Sequence, residues 1–338
     1  MIKKFLVVLL CGLVIAGGGF LYVKQQTNEY AEQVIQITEP SLVSIKNGSS
    51  FSSVLKQLEA QSWIEPSSFS TLLRRLRPEL IKIKAGTFML QPDMSLADTL
   101  LFISKGKEHQ FAITFVEGSR FSEWRAIFKN AEFLDHQTDD LSEQEVAAKL
   151  DMSGKKLEGL FLAETYHYTA GTSDLDILKR ANRDLNAALN ESWESRQKQL
   201  PLKSSYEALT LASIIEKETA IESERATVSS VFVNRLKRGM RLQTDPTVIY
   251  GMGDNYNGNI RKKDLRTATP YNTYVIKGLP PTPIAMVGKS SIEAALNPEK
   301  TKFLYFVASG TGGHVFSKNL TEHNRAVKQY LRQLRKKK

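Results

Sequence analysis

The sequence predicts an α+β protein: an N-terminal transmembrane helix, a small strand-helix-helix-strand module, and a larger helix-rich α+β domain. Three observations lead there. An uncharged stretch of 19 residues, Phe5 to Val23, opens the chain. Between residues 41 and 105, short runs of alternating polarity flank runs with helical spacing. From about residue 158 onward, long helical segments dominate.

The 338 residues fit two or three domains, and 41% hydrophobic with 24% charged residues describes a globular chain. A net charge of +10 suits an anionic partner, such as nucleic acid, phospholipid head groups or an acidic cell-wall polymer, and serves solubility equally well. The clearest basic run, "RQLRKKK" (Arg332 to Lys338), lacks the interleaved aromatic residues of a nucleic-acid surface, so no nucleic-acid partner is expected. Cys11 is the single cysteine, which excludes an intrachain disulfide and a CxxC or Cys/His zinc site. The histidines show no HExxH spacing. No metal and no cofactor are expected.

In chain order, residues 1–4 form a cytoplasmic tail and 5–23 the anchor, long enough as a helix to span about 30 Å of hydrocarbon. Lys3 and Lys4 precede the apolar run and only Lys24 follows closely, so the positive-inside rule puts the N-terminus in the cytoplasm and the bulk of the chain outside. A signal peptide cut after "AGG" is the competing reading. The apolar run continues through Phe20, Leu21 and Val23, which favours an uncleaved anchor. A lipoprotein site at Cys11 fits less well, because Leu10 before it is not small. Residues 24–40 are polar and read as a tether.

The module spans 41–105. "SLVSIK" alternates as a strand, and "NGSS" supplies a turn and helix-start residues. Phe51, Val54, Leu55 and Leu58 carry helical spacing, "SSFSTLLRRL" reads as a second helix, and "AGTFML" as a returning strand. A connecting α+β segment, 106–157, holds a strand, a helix with Trp124 and Phe128, and a helix "SEQEVAAKL" whose Ser142 and Glu145 fit a capping box. The final domain, 158–338, has three long helical segments and then an irregular stretch, 241–283, rich in Tyr, Asn, Thr, Gly and Pro. Such stretches inside a domain are usually functional. A short helix at Ser290, a hairpin "KFLYFVASGTGGHVFS" and a last helix into the basic tail complete the chain.

"LTLASIIEKETAIESE" (Leu209 to Glu224) starts as an apolar helix and ends rich in glutamate. With about 100° per residue and Leu211 at zero, Ile214, Ile215 and Ile221 fall near ~300°, ~40° and ~280°. Glu218 falls near ~340°, inside that stripe, whereas Glu216 falls near ~140°, off it. Glu222 returns to ~20°, with neighbours that suggest an exposed, fraying end. A carboxyl in an apolar stripe is favoured in its protonated form, which suits a general acid; a Glu whose head reaches water at the edge of a buried face is the simpler alternative. Glu164 and Asp245 are weaker candidates beside aromatic or hydroxyl residues, and Pro246 biases Asp245 towards extended backbone. "VGKSS" resembles the end of a phosphate-binding loop but has Pro283 where the first glycine is required. "GTGGH" reads as a hairpin turn, and no GxSxG elbow is present.

"ASIIEKET", "RLQTDPTVIYG", "TPYNTY", "GLPPTPI", "ALNP" and "GGHVFS…EHN" occur in this order. Together they resemble the MltG (YceG-like) family of membrane-anchored endolytic murein transglycosylases, over nearly the whole chain. "LFLAETY" departs from the family pattern, placing Ala163 and Glu164 where the family has Pro-Asp. The resemblance implies a LysM-like module at 41–105 and a catalytic domain at 158–338. It implies cleavage of the MurNAc–GlcNAc β-1,4 bond within peptidoglycan strands, with 1,6-anhydro ends as product, and so a limit on nascent strand length. It assigns the catalytic glutamate of "EKET" to Glu218. The partners expected are glycan strands, the inner (cytoplasmic) membrane and peptidoglycan synthases, with the bulk of the chain periplasmic. Within 241–283, Tyr271 and Tyr274 are expected on sugar faces, and Gln243, Asp245, Asn272 and Thr273 on hydroxyls and acetamides. Two rivals remain: a non-catalytic wall-binding scaffold, and a muramidase-type hydrolase using a second carboxylate and water.

Overall fold

The computed structural model describes residues 2–337, so Met1 and the last lysine of the basic tail, Lys338, lie outside the described residues. The fold is mixed α+β, rich in helices, and divides into two compact units, one ending at Phe111 and one beginning at Ala112.

The first unit begins with α1 (Ile2–Glu32), whose apolar part is exposed, long and hydrophobic enough to cross a membrane. The same helix continues past the apolar run, and its Thr27, Tyr30 and Ala31 are buried in the unit. Ile35 joins the core, and its amide donates to the Met94 carbonyl at 2.9 Å. Segment 24–40, expected as a tether, is therefore packed structure. Tyr30, Ala31 and Ile35 are part of the core and Ile37 packs against it, while Val34 stays exposed.

Strand β1 (Ser41–Ile45) pairs antiparallel with β2 (Gly86–Leu90), Val43 lying opposite Phe88. Between them come α2 (Phe51–Ala60), whose first turn is capped by the Ser50 side chain, α3 (Ser70–Leu76), and a tight turn at Pro78–Ile81. The expected strand-helix-helix-strand order is present. A further helix, α4 (Leu96–Lys105), starts at a Ser95/Asp98 capping box and was not foreseen. Leu58, Leu73, Leu80, Phe88 and Leu96 are completely buried and form the unit's centre.

The second unit opens where β3 (Phe111–Thr114) crosses the division and pairs with β4 (Thr165–Tyr168). Between these strands lie α5 (Phe121–Lys129) and α6 (Glu143–Lys149). The Ser142/Glu145 capping box of α6 is formed as expected. Trp124 is fully buried, stacked on Phe115 with ring centroids 3.7 Å apart, and packs near Phe161. The 106–157 stretch thus contributes to the core of this unit rather than only linking two others.

Helices α7 (Asp174–Glu194), α8 (Ser205–Glu218) and α9 (Glu222–Lys237) follow. The expected irregular stretch contains α10 (Asp245–Met252) and tight turns at Gly253–Asn255 and Asp264–Arg266. Asp245 is itself the first helical residue, and the extended conformation falls on Thr244 (φ −119°, ψ 127°). Pro246 sits in the first turn, where its missing N–H costs nothing and its fixed φ suits the helix. Helix α11 (Lys289–Leu296) packs against α7, α8 and α9. Strands β5 (Tyr305–Ala308) and β6 (His314–Ser317) form the expected antiparallel hairpin, Val307 opposite Val315, and α12 (Leu320–Lys337) packs on it. Gly310, Gly312 and Gly313 turn the hairpin with φ of 83°, 104° and 75°, values L side chains rarely adopt.

Candidate active site

Helix α8 is buried from Ala208 through Ile215 without interruption, so it is enclosed on every side and has no single inward stripe. It ends at Glu218 because Thr219 is extended (φ −147°, ψ 132°), and Glu222 begins a new helix. Glu222 is exposed and does not share a face with Glu218. The last three residues of α8 take three different partners. The Glu216 side chain is only 4% exposed, lies 3.4 Å from Arg225 Nη2, and accepts the Gly288 amide at 3.0 Å. Lys217 Nζ donates to the Gly118 carbonyl at 2.9 Å. Unlike Glu216, Glu218 is within ion-pair distance of no cation among the described residues. Its Oε1 accepts the Thr244 hydroxyl, the one hydrogen bond its carboxyl makes among the described residues.

Glu216 is thus the enclosed, charge-paired carboxylate, contrary to its place off the stripe. Arg225 also meets Glu222, and Glu117 at 3.7 Å. Burial, then Glu216 beside it, raises the Glu117 carboxyl above its ordinary range.

Glu218 faces a cavity of about 200 Å³. The residue keeps some surface at the cavity mouth, while burial of its carboxyl pushes the pKa up to about 7. The Thr244 hydrogen bond works against that rise, Asp245 adds to it, and His314 and Arg235 oppose it. A carboxyl titrating there holds its proton in a large fraction of molecules at neutral pH, as a general acid must.

The opposite wall comes from residues 242–245 and Tyr274. Gln243 and Asp245 are exposed along it, and Gln243 holds a left-handed backbone (φ 50°). Tyr274 donates its hydroxyl to Asp245 Oδ1 at 2.6 Å; burial, then that carboxylate, raises the phenol above its ordinary range. Arg235, which the sequence reading did not single out, closes the floor. It donates to the carbonyls of Leu304 (2.6 Å) and Leu242 (2.7 Å), tying α9 to both β5's approach and the Gln243 segment. A cation inside the apolar run "VFVNRL" was the available signal. Nearby, His314 Nδ1 lies 2.8 Å from Glu224, with its ring edge-on to Phe306.

The remaining expected residues are placed elsewhere. Tyr271 is buried, hydrogen-bonds Thr282 at 2.9 Å, and lines a separate cavity of about 620 Å³ with Tyr206 and Asn182. Asn272 is buried; its amide donates to the Asp264 and Thr267 carbonyls and accepts from the Tyr274 amide. Thr273 is buried and accepts the Thr244 amide at 3.1 Å. These two side chains hold the loop and have their polar atoms occupied, a correction to their expected contact with sugar. Glu164 is exposed; its side chain accepts the adjacent Thr165 amide, and its carbonyl accepts the Phe115 amide. Glu158 is also pushed up to about 7 by burial, yet it accepts the Phe121 amide at the start of α5, a helix-capping position.

The sequence profile of the YceG-like family matches residues 43–329. An endolytic murein transglycosylase of Bacillus subtilis is 33% identical, over 94% of this chain and 91% of its own length. One from Streptococcus pneumoniae is 28% identical over 74% of this chain, which spans about half (51%) of that relative's length. The crystal structure of a YceG-like protein from Listeria monocytogenes superimposes with a TM-score of 0.55 at 32% identity, covering 86% of this chain and 99% of its own. The chain belongs to the YceG-like family.

Proposed function

We propose that this chain is a membrane-anchored endolytic peptidoglycan transglycosylase with Glu218 as its single acid–base group. The observation that carries the reading is Glu218 itself. It is a carboxyl with no ion-pair partner, facing a cavity, held by one hydroxyl and proton-bearing near pH 7. The names of the relatives supply the substrate class.

The proton on Glu218 Oε2 passes to the glycosidic oxygen as the MurNAc C1–O bond breaks. The C6 hydroxyl of the same sugar attacks C1, and its proton goes to the Glu218 carboxylate. One C–O bond forms for the one that breaks, no water is consumed, and Glu218 ends protonated. Intramolecular attack lowers the entropic cost of the step. Thr244 keeps Oε1 fixed, so Oε2 is the oxygen that exchanges the proton. Gln243, Asp245 and Tyr274 line the same cavity and are positioned to meet sugar hydroxyls or acetamides. Tyr271 serves the neighbouring cavity instead, beside Tyr206. Tyr206 lies about 18 Å along α8 from Glu218, a distance an extended glycan bridges.

The remaining assignments follow from the same reading. Residues 5–23 anchor the chain in the cytoplasmic membrane with the N-terminus inside, 41–105 act as a LysM-like glycan-gripping module, and 158–338 do the chemistry. Cuts within strands limit their length, which makes peptidoglycan synthases the natural partners. Proteolysis that reaches residues 25–338 from the cytoplasmic side instead of the outer side overturns the topology.

Asp245 is a second carboxylate at the same cavity, which gives the muramidase alternative a concrete candidate. Mass spectrometry of products from purified peptidoglycan separates the readings. The full chain should release 1,6-anhydro ends, lighter by one water than reducing ends, and Glu218→Gln should release none. Reducing ends point to the hydrolase, and no products from the wild-type chain to a scaffold.

A further inference from the structure

Helix α9 has two functional faces. With about 100° per residue and Phe232 at zero, Arg235 falls near ~300°, while Ser230, Val233, Asn234 and Lys237 cluster between ~100° and ~200°. Phe232 and Arg235 line the Glu218 cavity. The other four line a separate concavity of about 660 Å³, walled by residues 298–303 and by the chain after α7. A helix about 10 Å across therefore stands between this second concavity and the catalytic one.

The concavity is lined by Lys198, Lys237, Lys300, Lys302 and Lys318 against a single carboxylate, Glu299. That carboxylate already accepts the Thr227 hydroxyl at 2.5 Å. None of the five lysines has an ion-pair partner among the described residues, and all five are exposed. The wall beneath them is pinned. Gln197 Nε2 donates to the Pro298 carbonyl at 2.8 Å, and Asn234 Nδ2 to those of Thr301 (3.1 Å) and Phe303 (2.9 Å). Ser230 and Thr301 share a hydroxyl hydrogen bond at 2.7 Å. The 298–303 wall is thus fixed by three side chains from two other segments. It does not have to order itself when a ligand arrives, which removes part of the usual cost of binding.

We propose that this cradle is a binding site for a compact diphosphate, distinct from the glycan-cutting site. Five ammonium groups and one carboxylate leave a surplus of four positive charges around one concavity. Like charges so gathered repel one another, and a multivalent anion relieves that repulsion at several lysines together. A lone carboxylate offers one charge; two linked phosphates offer adjacent charges and many acceptor oxygens within a few ångströms. Lysine is a flexible point-charge donor that serves phosphate well. The volume falls within the range of about 300–1,000 Å³ typical of small-ligand sites. The same chemistry has two sources: a soluble diphosphate, or the diphosphate head group of a lipid-carried sugar.

The test uses the full chain in detergent micelles, titrated calorimetrically with inorganic pyrophosphate. Saturable binding is expected, and Lys300→Ala/Lys302→Ala should weaken it by about tenfold or more, while Lys129→Ala/Lys149→Ala, with the same loss of charge, changes it less than about twofold. All four residues are exposed, so the variants should keep the wild-type circular dichroism. Glu218→Gln should bind pyrophosphate as wild type does, which separates this site from the catalytic reading. Absence of saturable binding, or equal weakening by both lysine pairs, overturns the cradle. A second arm compares vesicles with and without a polyprenyl diphosphate. Pyrophosphate-displaceable capture by the doped vesicles alone assigns the lipid source, and no preference assigns the soluble one; both sustain the site.

Discussion

Thr244→Val tests how the acid is set. Thr244 is buried and extended, so valine fits its backbone and volume and deletes only the hydroxyl. That hydroxyl donates to Glu218 Oε1, an interaction that favours the charged carboxylate and holds its pKa down. Hydrogen bonds to charged groups contribute about 1.5–3 kcal/mol, and about 1.36 kcal/mol corresponds to one pKa unit. Removing this one should therefore raise Glu218 from about 7 by roughly one to two units, the lower end applying because the cavity is open to water. The bond-breaking step needs the protonated form, so activity falls as pH rises through the Glu218 pKa. The alkaline limb of the pH–rate profile for anhydro-end release should move up by about one unit in Thr244→Val and return in Thr244→Ser. An alkaline limb that stays in place, or moves down, refutes the Thr244–Glu218 coupling. A merely structural loss would lower the rate at every pH without moving the limb.

Glu218→Gln should lose at least about 100-fold in rate with the fold intact. Between the unfolded carboxyl value and about 7, the folded state binds the extra proton, so wild-type stability declines as pH rises through that window. The amide does not titrate, so the Tm of Glu218→Gln relative to wild type should climb from about pH 4.5 to pH 7 and then level off; a difference flat with pH refutes the raised pKa. Glu216→Gln takes one counter-charge from buried Arg225 and should cost about 1–3 kcal/mol in denaturant unfolding, with the rate per folded molecule near wild type. A variant as stable as wild type would show that Glu222 and Glu117 suffice for Arg225. Tyr274→Phe frees Asp245 and should raise KM for glycan strands more than it lowers kcat; an unchanged KM removes Tyr274 from the substrate wall.

Local chemistry was legible in the sequence wherever it was self-contained. The Ser142/Glu145 capping box and the hairpin around Gly310 to Gly313 follow from residues a few positions apart, and the strands flanking α2 and α3 were each legible locally although their pairing is not local. Ser95 and Asp98 carried the same capping signal as Ser142 and Glu145, so α4 was available to the same reasoning. What separates Glu216 from Glu218 was not legible. Helical phase put one inside and one outside, but α8 is wrapped on all sides and both are drawn in. The difference lies in partners that reach them from other segments: Arg225 from α9 for one, Thr244 from beyond α9 for the other. In 241–283 the bias that proline exerts on its predecessor was outweighed by the helix that proline itself helps to start. Asn272 and Thr273 show the opposite hazard. A polar loop residue looks available to a ligand until the loop's own backbone is found to need it.

The continuity of α1 bears on how high the first unit would stand above a bilayer. Its apolar run ends at Val23, and Thr27, one helical turn on, is already inside the core of the first unit. With residues 5–23 in the bilayer, only about 6 Å of helix rise separates the end of the span from folded protein. A flexible leash would let that unit sample many heights above the lipid. A stiff post would instead hold the first unit at one altitude. Inserting a glycine-serine spacer after Lys24 would break the helix and turn the post into a leash, letting the first unit sample a range of heights.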